Sequence, residues 1–303
     1  MSGDDNAHMR VTVVGSGPAA PQADTPASGI LIESASTTVL FDCGSGVVSR
    51  LRSIADPGRL DGVVVGHLHA DHFIDLAPLR YLYPWPGTAS GRPAIWLPPG
   101  GRDRLTGLAA VMSERFSFFE DAFDLHEYAD DRPFRVGALS IHPRPLQHYV
   151  PTRAMRVEDG TATLVYGGDT GPTDRLVAFT TGADLLIAEA TLTSATEDEP
   201  RRGHSTGLEA IAMARAAGVS RVLLTHYPSA HRDELQALAD RTIDLRVEVA
   251  RPGLRLDVRR QPEGAPEASP DAATSDAAST VATRTRSGTA AGSSPRRPRA
   301  VRQ

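Results

Sequence analysis

Three histidines and an aspartate fall within six residues, His67-Leu68-His69-Ala70-Asp71-His72, directly after the valine-rich run DGVVV (61–65). This concentration of donor side chains constrains the fold more than any other part of the chain. Side chains two residues apart in extended backbone face the same side, so His67 and His69 are expected to project together from a strand end. Asp71 and His72 follow in a turn, ahead of the helix-like DLAPLRYLY (75–83). Four donors are more than a single metal takes from one segment and suit two adjacent metals. Hydrogen-bonded histidines at a strand edge are the alternative, but with only 10 histidines in 303 residues such clustering is rarely accidental.

Cys43 is the only cysteine, which excludes an internal disulfide and any multi-cysteine metal site. Any metal must therefore be held by His, Asp and Glu. No window reaches the length of about 20 apolar residues that crosses a bilayer. The acidic start, MSGDDNAHMR, has neither the basic nor the apolar region of a secretory signal. A cytoplasmic protein without membrane contact is expected.

From about residue 259 the composition turns to Ala, Ser, Thr, Pro and Gly, too poor in large apolar groups to offset the entropy of ordering. The expected organisation is a flexible N-terminus (1–9), one folded domain (10–258) and a disordered low-complexity tail (259–303). From residue 261 the tail holds six arginines and four acids, leaving 26 basic and 33 acidic residues in the body. That acidic balance disfavours an extended nucleic-acid surface.

Strand-like runs at 11–17, 28–34, 37–44 and 61–69 open the body, and further ones lie at 139–148, 162–169, 183–190 and 221–226. Helical stretches separate the later runs. The clearest is TGLEAIAMARAAG (206–218), with a Thr206-x-x-Glu209 capping box, an expected apolar stripe of Leu208, Ile211 and Ala212, and a Gly218 stop. The pattern is α/β (α+β). Gly15-Ser-Gly17-Pro-Ala-Ala20 fits a dinucleotide-binding pattern, but Pro18 and Pro21 forbid the helix that pattern must open.

The H-x-H-x-D-H segment after a hydrophobic strand resembles the signature of the metallo-β-lactamase superfamily, over residues 10 to 258. The resemblance implies a four-layer αββα sandwich and two divalent metal ions, zinc first, with manganese or iron also accepted by such ligands. It implies that His67, His69 and His148 hold one metal, Asp71, His72 and His226 the other, and Asp169, in YGGDTG, both. Asp42, in VLFDCGSG, would support the metal loop from behind. His142 competes with His148, since both lie in LSIHPRPLQH, and Asp169 could instead cap the helix starting near Thr173. His8, His126 and His231 match nothing and are expected at the surface, with His231 a candidate for the cleft mouth.

AEAT (188–191) and RGHST (202–206) resemble paired motifs of the ribonuclease Z-like branch. They mark His204 as the group that assists the leaving group and Glu189 as its orienting partner, so Asp71, His204 and Glu189 are the catalytic candidates. Ribonuclease Z carries a long arm that grips transfer RNA between the third histidine and the bridging aspartate. Only twenty residues separate His148 from Asp169 here, which leaves no room for it. Runs such as TPASG, HLHADH, GDTG and LLTH resemble arm-less cyclic-nucleotide phosphodiesterases of actinobacterial type.

The expected activity is hydrolysis of a small phosphodiester such as a 3′,5′-cyclic nucleotide, with a metal-bridging hydroxide as nucleophile. A transfer-RNA 3′-processing endoribonuclease, a hydrolase of lactams or thioesters, and a metal-free scaffold are the alternatives. A homodimer is a further expectation of the resemblance. Tyr83, Trp85 and the loop 193–203 are candidates for the pocket border.

Overall fold

The computed structural model describes residues 8–83, 91–113, 115, 117–198, 200 and 202–260; the expected tail beyond residue 260, the chain ahead of His8 and Trp85 lie outside them. Alternation along the early strands separates two apolar faces. In β1 (Met9–Gly15) Val11 and Val13 join the central core while Val14 faces the other way; in β2 (Gly29–Ser34) Ile30 and Ile32 are opposed by Leu31; in β3 (Thr37–Phe41) Val39 and Phe41 are opposed by Leu40. Strands apolar on both faces must be covered on both. That requirement gives a layered architecture, with the inner faces of two sheets against each other and helices outside.

The first sheet continues through β4 (Gly62–Val64), β5 (Ala94–Leu97) and β6 (Asp124–Glu127). The second holds β7 (Phe134–Val136), β8 (Leu139–Leu146), β9 (Thr152–Glu158), β10 (Thr163–Tyr166), β11 (Leu185–Glu189), β12 (Arg221–Thr225) and β13 (Arg246–Val249). The strand β14 (Arg255–Val258) returns to pair with β1, giving orders β14-β1-β2-β3-β4-β5-β6 and β13-β12-β11-β10-β9-β8-β7. Pro143 and Pro145 lie where β8 has run past its pairing with β7, an edge position that tolerates a missing N–H.

Among the described residues the helices are α1 (Val47–Leu51), α2 (Ala70–Phe73), α3 (Leu76–Arg80), α4 (Gly101–Met112), α5 (Asp174–Thr180), α6 (Gly207–Ala216) and α7 (Arg232–Arg241). Residues of α1, α3 and α4 pack with Leu31, Leu40 and Val63 on the outer face of the first sheet, and α6 and α7 cover the second. This is the four-layer αββα arrangement. No helix among the described residues is long and apolar enough to cross a membrane.

Parallel pairing makes the site. β3 runs parallel to β4, and β10, β11 and β12 are parallel to one another. The C-terminal ends of such neighbours gather at one edge, where open α/β sheets place their ligands. Asp42, the His67–His72 segment, Asp169 and His226 follow the ends of β3, β4, β10 and β12, and Glu189 ends β11.

Two sequence expectations need correction, and a third holds. The strand expected over 61–69 stops at Val64, and the Gly66 N–H donates to the Asp42 carboxylate (2.8 Å) instead of to a neighbouring strand. His67 and His69 therefore stand in the loop beyond the strand, with His69 as the N-cap of α2. In α6 the capping box is present, but Leu208 is 65% exposed and Ala212 is exposed; the buried face is Gly207, Ala210, Ile211, Met213 and Ala214. The segment after Gly17 forms no helix, as its prolines dictate.

Candidate metal centre

Two sets of donor atoms converge at the strand ends: His67, His69, His148 and Asp169 in one, Asp71, His72, Asp169 and His226 in the other, each within a span of 4.8 Å. In the first, His69 Nδ1 lies 3.1 Å from both His67 Nε2 and His148 Nε2. In the second, His226 Nε2 is 3.1 Å from Asp71 Oδ2 and 3.3 Å from Asp169 Oδ2, while His72 Nε2 is 3.4 and 3.2 Å from the same oxygens. One oxygen, Asp169 Oδ2, also reaches toward His67 and His148 Nε2 at 3.8 and 3.9 Å. It is the atom the two sets share.

Hydrogen bonds behind the rings fix which nitrogen faces inward. His72 Nδ1–H donates to Asp42 Oδ2 (2.7 Å) and His148 Nδ1–H to the Gly203 carbonyl (2.7 Å). His226 Nδ1 lies 2.9 Å from Thr191 Oγ1. With Nδ1 engaged in this way, each ring turns its Nε2 toward the cluster, the nitrogen a metal would take. His72 Nε2, fully buried, has no hydrogen bond and faces two carboxylate oxygens. Such a contact is stable only with positive charge between nitrogen and oxygens, supplied by a proton in the metal-free chain or by a cation when one is bound. Metal–ligand bonds of about 2.0–2.1 Å in a tetrahedron put neighbouring donor atoms about 3.3 Å apart, close to the spacing found. The residues fit divalent metal.

The electrostatics show a demand for positive charge at the second set: burial works against a charged His72, but the Asp169 and Asp42 carboxylates raise it well above its ordinary range, so without metal a proton takes the place a cation would fill. Burial, reinforced by neighbouring imidazoles, pushes His67 well below its ordinary range, so the ring is neutral and free to ligate. Burial opposes ionisation of Asp169, but the His226 and His72 rings hold its carboxyl well below the usual carboxylate range. A largely desolvated carboxylate surrounded by imidazoles is costly unless paired with positive charge.

Backbone geometry confirms how tightly these positions are specified. Asp42 and His226 have left-handed backbone, with φ of 59° and 54°, uncommon for residues with side chains. Such strain costs on the order of 1–3 kcal/mol and persists only where surrounding structure imposes it. At both residues it follows a strand end and turns the side chain into the cluster. Asp42 joins the loop to the core by accepting from Gly66 N–H, from His72 Nδ1–H and from Tyr166 O–H (2.5 Å). Replacing Asp42 with alanine is expected to weaken metal affinity about 10- to 100-fold, read as a shift in the zinc titration; unchanged affinity would remove Asp42 from this role.

Beside the second set lies a triad of Glu189, His204 and His226. His204 Nδ1–H donates to Glu189 Oε1 (2.9 Å), and the same oxygen accepts from Thr170 N–H (2.9 Å). Burial works against a charged His204, but the hydrogen bond and charge of Glu189 raise it to about 9. Its ring stacks on His226 at 5.7 Å and meets His148 edge-on at 4.8 Å. His69 and His204 are half-buried where most of the other donors are buried, so the site opens on their side.

The remaining candidates separate clearly. His142 lies 3.2 Å from Ser140 Oγ and 3.9 Å from Glu158, outside both sets, so geometry favours His148. Thr173, not Asp169, caps α5. His8 pairs with Asp257, His126 stacks on Trp96, and His231 caps α7. Tyr83 is buried against Phe123 in the outer core, which is packing. Sequence reasoning missed Thr191, whose hydroxyl donates to Glu189 Oε2 (2.5 Å) and joins it to His226. Its place two residues after Glu189 in the AEAT run was the available signal.

Comparison with known proteins agrees with this geometry. The model of the β-lactamase superfamily domain matches residues 37–227. "Uncharacterized protein Rv1339" of Mycobacterium tuberculosis is 36% identical over 226 residues, covering 73% of this chain and 81% of that one. "Probable metallo-hydrolase YhfI" of Bacillus subtilis is 33% identical over 250 residues, 81% of this chain and 98% of its own. The crystal structure of YhfI superposes with a TM-score of 0.72 at 30% identity, over 82% of this chain and 99% of the other. Ribonuclease Z of Mycobacterium bovis is 27% identical over 276 residues, 82% of this chain and 98% of its own. The chain belongs to the metallo-β-lactamase superfamily of hydrolases, with ribonuclease Z among its relatives.

Proposed function

We propose that the chain is a dinuclear metal-dependent phosphodiesterase acting on a small phosphodiester such as a 3′,5′-cyclic nucleotide. The observation that carries this reading is the sharing of Asp169 Oδ2 by two donor sets, with the His204–Glu189 pair directly beside them. In this reading His67, His69 and His148 hold one cation, Asp71, His72 and His226 the second, and Asp169 both. Zinc suits the His/Asp set. Two such cations, when bound, lower the proton affinity of water and neutralise charge on phosphoryl oxygens.

The chain's own groups supply the rest. Glu189 holds the proton of His204 Nδ1 and so orients the ring, leaving Nε2 on the opposite edge to donate to the departing alkoxide. Thr191 and Thr170 fix the two oxygens of Glu189 in turn.

The short β9–β10 connection supports a small substrate. There Asp159 Oδ1 accepts from Thr161 and Ala162 N–H and closes a tight turn, within the interval that carries the RNA-gripping arm in ribonuclease Z. A second reading, an RNA-processing nuclease, draws on the ribonuclease Z relative. A screen with zinc, manganese or cobalt decides between them. Cyclic AMP, cyclic GMP and bis-p-nitrophenyl phosphate are expected to be hydrolysed, and precursor transfer RNA and nitrocefin are not. Inactivity on all three phosphodiesters would overturn the proposal, and cleavage of precursor transfer RNA alone would replace it with the second reading.

A further inference from the structure

We propose that Asp198 is a positioning residue that fixes His204 through its backbone. The inference rests on reading His204 as the leaving-group acid. After Thr191 the described residues include a short helical turn, Ala195–Asp198, held at its start by Glu197, whose carboxylate accepts from Ser194 N–H (2.7 Å) and from the Thr193 hydroxyl. Asp198 then reaches forward. Its Oδ2 accepts from both Gly203 N–H (2.6 Å) and His204 N–H (2.9 Å), while Oδ1 accepts from the Tyr149 hydroxyl.

Two successive amides on one oxygen fix the peptide plane between Gly203 and His204, and with it the direction in which the His204 side chain leaves the backbone. The bond from Nδ1 to Glu189 fixes only the far end of that side chain. A ring held at Nδ1 alone can still swing about that bond and carry Nε2 away from the leaving group; a ring held at both ends cannot.

Gly203 ties this clamp to the metal ligands. Its carbonyl accepts from His148 Nδ1–H, while its N–H is held by Asp198. A Cβ at this position would lie 2.6 Å from the Tyr149 ring, so a side chain here would push that ring away from Gly203. Tyr149 stands 4.8 Å from the His148 ring and 5.6 Å from His204, and is 38% exposed at the mouth of the site. One carboxylate thus sets the backbone of the acid and anchors the aromatic beside it.

The test compares Asp198→Ala, Asp198→Asn and His204→Ala in the metal-loaded full chain. A misplacement of about 1 Å can cost on the order of a hundredfold, so Asp198→Ala is expected to lower kcat on a 3′,5′-cyclic nucleotide by about 10- to 100-fold. On bis-p-nitrophenyl phosphate, whose leaving group departs without a proton, the loss is expected to be about two- to threefold. Asp198→Asn keeps an acceptor oxygen and recovers most of the cyclic-nucleotide loss. Amide hydrogen exchange at Gly203 and His204 is expected to rise about tenfold or more in Asp198→Ala, a readout independent of turnover. If His204→Ala shows the leaving-group split and Asp198→Ala does not, or if exchange at the two amides is unchanged, the positioning role is overturned. If His204→Ala itself shows no split, the acid reading fails, and the role of Asp198 falls with it.

Discussion

Asp169→Ala is expected to release metal and abolish turnover together. Its Oδ2 is the only atom common to both donor sets, so no other single change takes a ligand from both. Transition-state stabilisation by bound metal is worth several kcal/mol, and about 4 kcal/mol corresponds to roughly a thousandfold in kcat/KM. Thermal unfolding gives an independent readout. Ligand present at 100 times its Kd stabilises a fold by about 2.7 kcal/mol, so zinc is expected to raise the Tm of the wild-type chain and to leave that of the variant nearly unmoved. A variant that retained both metal and activity would remove Asp169 from the centre.

His204→Ala separates chemistry from metal binding. The ring meets His148 and His226 but stands outside both four-donor sets, so metal content is expected to stay at the wild-type level. Turnover of a cyclic nucleotide is expected to fall about 10²- to 10⁴-fold, the usual contribution of a positioned acid. An unchanged kcat on that alkoxide leaving group would show that His204 does not donate.

The residues that cluster were legible wherever local pattern implied them. Three histidines and an aspartate in six residues announced ligand chemistry, and the hydrophobic runs marked most of the strands whose ends carry the partners. What the pattern could not supply was contact across the molecule. Asp42 and His72 are 30 residues apart, His148 and Gly203 are 55, and Asp71 and His226 are 155. Nothing local in the sequence encodes these pairings, which exist because strands of two sheets end at one edge. The resemblance to a known family stood in for that missing topology.

The misread face of α6 has a different cause. Counting apolar residues picked Leu208 and Ala212 with Ile211, yet the helix packs through Gly207, Ala210 and Ala214 beside Ile211 and Met213. A Cβ on Gly207 would lie 2.5 Å from Leu235 Cδ2, so a close approach of α6 to α7 selects glycine and alanine on the buried side. The early end of β4 was similarly hidden, because a side chain, Asp42, takes the N–H that a neighbouring strand would otherwise receive. The roles of Thr191 and Asp198 escaped for a related reason. Both residue types are ordinary in loops, and only their partners distinguish them.

Anomalous diffraction at the zinc edge from crystals of the zinc-loaded chain tests the central claim most directly. Two peaks are expected, one ringed by His67, His69 and His148, the other by Asp71, His72 and His226, with Asp169 between them. A single peak, or peaks away from these side chains, would contradict it.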